Sequence, residues 1–204
     1  MIQPYNTTYI AIDTETTGLD SKRHEIIEFS GLTFEGDRLS HDLTLKIKMT
    51  RPDIADPKSL EINRYKDRDW SGAMSPEAAA VEIAYYLKDA ILIGHNVPFD
   101  RRFIISLMMQ TDTIHRIPFR MIDTRTLCIA HLARYGLSKF GLRDCCDFLA
   151  IDLQNHHSAK ADAFASWKIF QTLCPVNPYK NFLLHQRLSF NGGRLKTREF
   201  LKNI

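Results

Sequence analysis

Several features are missing from this 204-residue sequence, and each absence narrows what the chain can be. Its four cysteines, Cys128, Cys145, Cys146 and Cys174, form no C-x-x-C pair. A Cys-based zinc site is therefore not expected. Cys145 and Cys146 are neighbours, a poor start for a disulfide framework, so the thiols read as reduced core residues of a cytoplasmic protein. No apolar run approaches the roughly 20 residues that cross a bilayer. The opening Met1-Ile2-Gln3-Pro4-Tyr5 lacks the basic region and apolar core of a secretory signal. No membrane association is expected. Neither G-x-x-x-x-G-K-[ST] nor G-x-G-x-x-G occurs, which sets aside two common phosphate-binding loops. There is no internal repeat and no low-complexity tract, so repeat architectures are not expected either.

What is present has the balance of a folded domain, with 44% hydrophobic and 25% charged residues. The net charge of +3 is unevenly distributed. Residues 175–204 hold six cations (Lys180, Arg187, Arg194, Lys196, Arg198, Lys202) and one acid, Glu199, a balance of +5. The remaining 174 residues hold 21 basic and 23 acidic residues, a balance of −2. With Pro175 and Pro178 at the junction, the expected organisation is one domain over 1–174 and a basic extension over 175–204. Phe182, Leu183, Phe190 and Phe200 among those cations suit contact with nucleic acid. They equally suit a structural extension docked on the domain.

Thr8 to Asp13 is short, apolar and β-rich, a buried strand that ends in acids. Glu25–Phe34 and Leu39–Ile47, joined by the turn Glu35-Gly36-Asp37, predict an antiparallel hairpin. Residues 51–75 read as polar and irregular. Ser75-Pro76 then opens a helix, with Ser as cap and Pro at the first position. Ala80, Ile83, Ala84 and Leu87 form its core stripe. A buried strand at Ala90–Gly94, a helix from Pro98 and a strand at Phe119–Asp123 follow. Helices are predicted over about 124–135, 141–149 and 160–173, the last packing through Ala161, Phe164, Ala165 and Ile169. This order predicts an α/β fold: a mixed five-stranded sheet, antiparallel across its first three strands, parallel elsewhere and flanked by helices. Functional groups should collect at the C-terminal ends of the parallel strands.

Three groups of residues carry the chemistry. Asp13 and Glu15, two apart on a strand, face one side and repel each other unless a cation intervenes. Asp100 follows a buried strand and sits in the first turn of a helix. His157 and Asp162 flank the start of the last helix. Each has an ordinary reading alone: strand-end acids, a helix acid favoured by the dipole, a loop histidine. Together, four carboxylates and a histidine suit phosphodiester hydrolysis with two divalent ions, such as Mg²⁺ or Mn²⁺, held by oxygen ligands. A neutral histidine beside them can accept a proton from water.

The ordered set Asp13-Thr14-Glu15-Thr16-Thr17-Gly18-Leu19, Gly94-His95-Asn96 through Phe99-Asp100, and His157-x-Ala159-x-x-Asp162 resembles the DEDDh 3′–5′ exonuclease superfamily, over about residues 8–173. That superfamily includes epsilon-type polymerase proofreaders, oligoribonuclease and ribonuclease T. The resemblance implies a ribonuclease H-like fold and release of nucleoside 5′-monophosphates from 3′ ends of single-stranded DNA or RNA, with DNA favoured. It implies that Asp13 bridges two metals, Glu15 and Asp162 complete one site, Asp100 holds the other and His157 is the general base. Thr16, Thr17 and Leu19 would seat the terminal nucleotide, and Asn96 and Phe99 would make further substrate contacts. Glu61-Ile62-Asn63 falls in the loop where relatives carry a His-Gly or Asn-Gly pair, which is replaced here by Asn63-Arg64. A polymerase or other protein partner is also implied. The alternatives are an RNA-directed exonuclease or oligoribonuclease, and, of another class, a catalytically silent nucleic-acid-binding scaffold.

Overall fold

The computed structural model describes residues 8–35, 38–113, 116–153 and 158–174. Five strands form one sheet, β1 (Tyr9–Thr16), β2 (Ile26–Glu35), β3 (Arg38–Lys46), β4 (Ile91–Gly94) and β5 (Met121–Asp123), in the order β3-β2-β1-β4-β5. β1–β2 and β2–β3 are antiparallel, and β1–β4 and β4–β5 are parallel. This is the mixed, helix-flanked sheet that the order of elements implies.

Alternation along β1 divides the core. Ile10 and Ile12 join one buried cluster with Ala80, Ile83 and Leu87 of α2 (Pro76–Tyr86 and its cap) and Phe103, Ile104 and Leu107 of α3 (Val97–Gln110). Ala11 turns the other way, into a cluster with Leu32, Phe34 and Ile93 and with Ala163 and Trp167 of α6 (Ala159–Leu173). Trp167 lies flat on Phe34, ring centroids 4.4 Å apart. A third cluster joins α4 (Thr124–Leu132), α5 (Leu142–Leu149) and α6, and takes in Cys128, Cys145 and Cys146. Burial pushes the Cys146 thiol up to about 12, so it stays protonated at neutral pH. Cys174, by contrast, is exposed.

Two sequence expectations need correction. Residues 51–75 are not irregular: they contain α1 (Pro57–Ile62) and two 3₁₀ turns, Pro52–Ile54 and Tyr65–Asp67. Asp56 caps α1, its side chain accepting from Lys58 N at 3.0 Å, with Pro57 at the first position. That is the arrangement Ser75 and Pro76 make for α2. Phe164 is not part of the core face of α6 but 41% exposed. Asp162, Ala163, Ser166 and Trp167 are buried instead, because the helix packs at once on the sheet and on α4 and α5. Among the described residues, no helix is long and apolar enough to cross a membrane. The expected boundary at residue 175 and the basic extension lie outside the described residues.

Candidate active site

β1 outruns its parallel neighbour. The pairing of β1 with β4 ends at Ala11 and Ile93, and β1 continues alone on that side to Thr16. β4 stops at Gly94, where an added Cβ would lie 3.1 Å from the Ile12 carbonyl oxygen and 3.0 Å from Val97 Cβ. The chain turns through Asn96, which is left-handed at φ 72 and whose N–H donates to Asp123 Oδ1 at 2.8 Å. α3 begins there and delivers Asp100 to the edge of β1 that β4 leaves unpaired. Asp100 Oδ1 accepts from both Thr14 N, at 3.0 Å, and Thr14 Oγ1, at 2.8 Å.

Asp13 and Glu15 project from the face of β1 that α6 covers, and α6 brings Asp162 in its first turn. One carboxylate oxygen from each of Asp13, Glu15 and Asp162 lies within 4.8 Å of the others. Glu15, Asp100 and Asp162 are buried, and Asp13 is half-buried. Burial first, then neighbouring negative charge, shifts the proton affinities of Asp13, Glu15 and Asp100. Asp13 is raised well above the usual aspartate range by burial and by Asp100, Glu15, Asp162 and Glu28. Glu15 is raised to about 8, by burial and then by Asp162 and Glu28. Asp100 is raised to about 7 by burial, against the opposing hydrogen bonds from Thr14. Such a group of carboxylates favours ionisation only when cations sit among them. The oxygen-only donor set fits hard divalent cations.

The remaining expected residues fall in different places. Thr16 and Thr17 are buried and use their hydroxyls internally, Thr16 Oγ1 donating to Gly18 O at 2.7 Å and Thr17 Oγ1 accepting from Glu25 N at 2.9 Å. Leu19, two residues on, is 78% exposed beside the acids' strand. Asn96 is exposed, and Phe99 is half-buried, its ring 4.8 Å from that of Phe103. Glu61-Ile62-Asn63 is the end of α1 rather than a loop. Asn63 is buried and donates through Nδ2 to Thr16 O at 2.9 Å, which ties α1 to the end of β1. Lys160, beside Asp162 on α6, pairs with Asp42 on β3. Arg101 donates to Pro118 O at 2.6 Å and is structural. His156 and His157 lie outside the described residues.

Sequence reasoning missed two members of this neighbourhood. Glu28 stands directly opposite Glu15 in the β1–β2 register and is buried, paired with Arg68. Its signal was available: an acid inside the otherwise apolar run from Ile26 to Phe29, on the same face as Ser30 and Leu32. Arg68 had no signal, because it comes from the 51–75 segment and only the fold brings it there. His95, within the Gly94-His95-Asn96 motif, is structural and bridges Thr124 Oγ1 at 3.0 Å and Phe140 O at 2.9 Å. Burial lowers its pKa and keeps it neutral.

Comparison with known proteins accords with this geometry. The model of the RNase_T exonuclease family matches residues 10–170. The chain is 30% identical over 166 residues to DNA polymerase III PolC-type of Thermotoga maritima, covering 80% of this chain and 12% of that protein. It is 24% identical over 177 residues to DNA polymerase III subunit epsilon of Treponema pallidum, covering 85% of this chain and 79% of that one. Among solved structures, an E. coli exonuclease I complex with a dT13 oligonucleotide superposes with a TM-score of 0.69 at 17% identity, covering 89% of this chain and 44% of that chain. A zinc-bound E. coli exonuclease I complex with single-stranded DNA gives 0.72 at 16% identity, covering 89% and 43%. The chain thus spans about an eighth of the PolC-type relative's length and less than half of each exonuclease I chain.

Proposed function

The chain belongs to the exonuclease family, within the DEDDh superfamily, and from that premise we propose that it hydrolyses the terminal phosphodiester of a nucleic-acid 3′ end to release a nucleoside 5′-monophosphate. The observation that carries this reading is the convergence of Asp13, Glu15 and Asp162 within 4.8 Å on one face of the sheet. Asp13, Glu15 and Asp162 would hold one divalent cation, and Asp100 with Asp13 would serve a second. Two such ions, Mg²⁺ or Mn²⁺, supply Lewis-acid stabilisation of the attacking and leaving oxygens when bound.

The chain's own residues do the rest. Asp100 is immobilised by Thr14, so its approach to Asp13 is set by the backbone of β1. His157, five residues before Asp162, takes the proton of the attacking water. The water oxygen bonds to phosphorus, and the 3′ oxygen of the preceding nucleotide leaves. Because Thr16 and Thr17 spend their hydroxyls internally, that segment meets the terminal nucleotide through its backbone and through the exposed Leu19, an apolar edge for a base. Asn96 and Phe99 line the approach on the α3 side.

DNA is the favoured substrate, supported by relatives named as DNA polymerase III chains and by neighbours solved with oligo-dT and single-stranded DNA. The epsilon-type relative supports a polymerase partner. The test is hydrolysis of 5′-end-labelled single-stranded DNA and RNA of one sequence, with Mg²⁺, with Mn²⁺ and with chelator. Stepwise loss of mononucleotides from DNA, dependent on metal, is expected. Faster loss from RNA would make the chain an RNA-directed exonuclease. Retention of both strands intact, with binding, would make it a silent scaffold.

A further inference from the structure

The acid cluster contains a fifth carboxylate and a cation beyond the four acids of the motif. Glu28 faces Glu15 across adjacent strands, where opposed Cβ atoms lie about 5 Å apart. Like charges so placed destabilise a sheet unless one is neutralised. Arg68 does this: its Nη2 pairs with Glu28 Oε2, with side-chain exposures of 18% and 4%. The guanidinium also lies over Trp70, whose ring centroid is 5.2 Å from Arg68 Cζ. Trp70 in turn stacks on Tyr65 at 4.5 Å and donates to its carbonyl at 2.7 Å. Arg68 Nη1 is buried and has no hydrogen-bond partner among the described residues. An orphan donor on a buried guanidinium costs free energy. The side chain is therefore not kept there by complete hydrogen bonding, and the return is electrostatic. Arg68 places its charge against Glu28, which faces Glu15 across the strand pair.

We infer that Arg68 is a positioning residue that sets the metal affinity of the site, by cancelling Glu28 so that the four ligand acids present the charge two divalent ions balance. This rests on the metal-dependent reading above. With the pair intact, Asp13, Glu15, Asp100 and Asp162 contribute four negative charges, and two divalent cations contribute four positive ones. Loss of Arg68 alone adds an unbalanced negative charge next to Glu15. Loss of the Glu28 charge alone leaves an unbalanced positive one. Loss of both restores the original sum.

The double-mutant cycle reads this directly through Mn²⁺ binding by calorimetry on the full chain, with no substrate present. Arg68→Ala should tighten Mn²⁺ by roughly tenfold, and Glu28→Gln should weaken it by about as much, the scale of one unit charge beside a partly buried divalent ion. The double variant should return to within about threefold of the parent, and Arg68→Lys, which keeps the charge, should stay near it. Shifts of the same sign for both single variants, or no shift in either, overturn the inference. If Arg68→Ala does not fold, unchanged affinity in Glu28→Gln, which is nearly isosteric, overturns it alone. Failure of the parent chain to bind Mn²⁺ at all instead overturns the metal-dependent reading, so the two failures are distinguishable.

Discussion

Thr14 grips a single oxygen of Asp100 twice, with its backbone N–H at 3.0 Å and its hydroxyl at 2.8 Å, across 86 residues of sequence. This contact joins the N-terminus of α3 to β1 on the side where β4 has ended. It also gives Thr14 a function, although its side chain faces away from Asp13 and Glu15. A hydrogen bond to a charged group contributes about 1.5–3 kcal/mol. Thr14→Val keeps the shape and the backbone donor but loses the hydroxyl. It should lower the melting temperature by a few degrees and turnover by about tenfold, while Thr14→Ser should stay near the parent in both. Circular dichroism melts and single-turnover rates on the three proteins check this.

Asp13 is the acid with most to gain from a cation, because Asp100, Glu15, Asp162 and Glu28 all act against its ionisation. Asp13→Asn should abolish hydrolysis with the fold intact. The same change relieves repulsion, so without metal the variant should melt higher than the parent. Near-normal turnover of Asp13→Asn at saturating Mg²⁺ would overturn the two-metal assignment.

The raised acids also fix the sign of a pH dependence. Glu15 at about 8 and Asp100 at about 7, against ordinary values of 4.5 and 3.8, bind protons in the folded chain that the unfolded chain has released. Stability falls with pH wherever the native state holds more protons. Their contribution is therefore complete below about pH 4 and is lost as pH rises through the window to about 8. The chelator-treated protein should melt several degrees lower at pH 8 than at pH 5.5, and Mn²⁺ should restore most of the difference at pH 8. A melting temperature that rises over this range without metal would contradict the reading.

The fold and the acids were legible because each obeys a local rule. Apolar runs of strand length ended in acids or in turn residues, and the Ser75-Pro76 signal marked a helix start that the structure reproduces. The i and i+2 placement of Asp13 and Glu15 fixes their shared face whatever surrounds them. The sequence did not reveal α1, although Asp56-Pro57 repeats the Ser75-Pro76 signal, because the polar residues after it carry no core stripe and none of its residues is buried. Phe164 is exposed because two layers set the buried face of α6: the sheet takes Ala163 and Trp167, and α4 and α5 take Ala165 and Ile169. Arg68 was invisible for a different reason. Its importance comes from Glu28, and that pairing spans 40 residues through a segment with no periodicity.

His156 and His157 are adjacent, and only His157 stands in the H-x-A-x-x-D frame with Ala159 and Asp162. His157→Ala should cut turnover by on the order of 10²–10⁴-fold, the range for loss of a general base. The parent rate should rise with pH through the apparent pKa of this group, and the variant should lose that limb. A damaging His156→Ala with a nearly silent His157→Ala would reverse the assignment.

The charge distribution predicts a role for the basic extension in meeting longer strands. Residues 1–174 carry −2 and residues 175–204 carry +5, so attraction to a polyanion should come disproportionately from the extension. Each phosphate neutralised on a single strand contributes a log–log salt slope of roughly −0.7. Deleting residues 178–204 should weaken binding of long oligonucleotides and flatten that slope. Turnover of a dinucleotide, which the acid pocket alone can hold, should be spared. If the extension instead packs on the domain through Phe182, Leu183 and Leu188, its deletion lowers the melting temperature and harms all substrates alike. Measuring the slope and the melting temperature on one truncated protein separates the two outcomes. An unchanged slope with lost stability would assign the extension to the fold rather than to the nucleic acid.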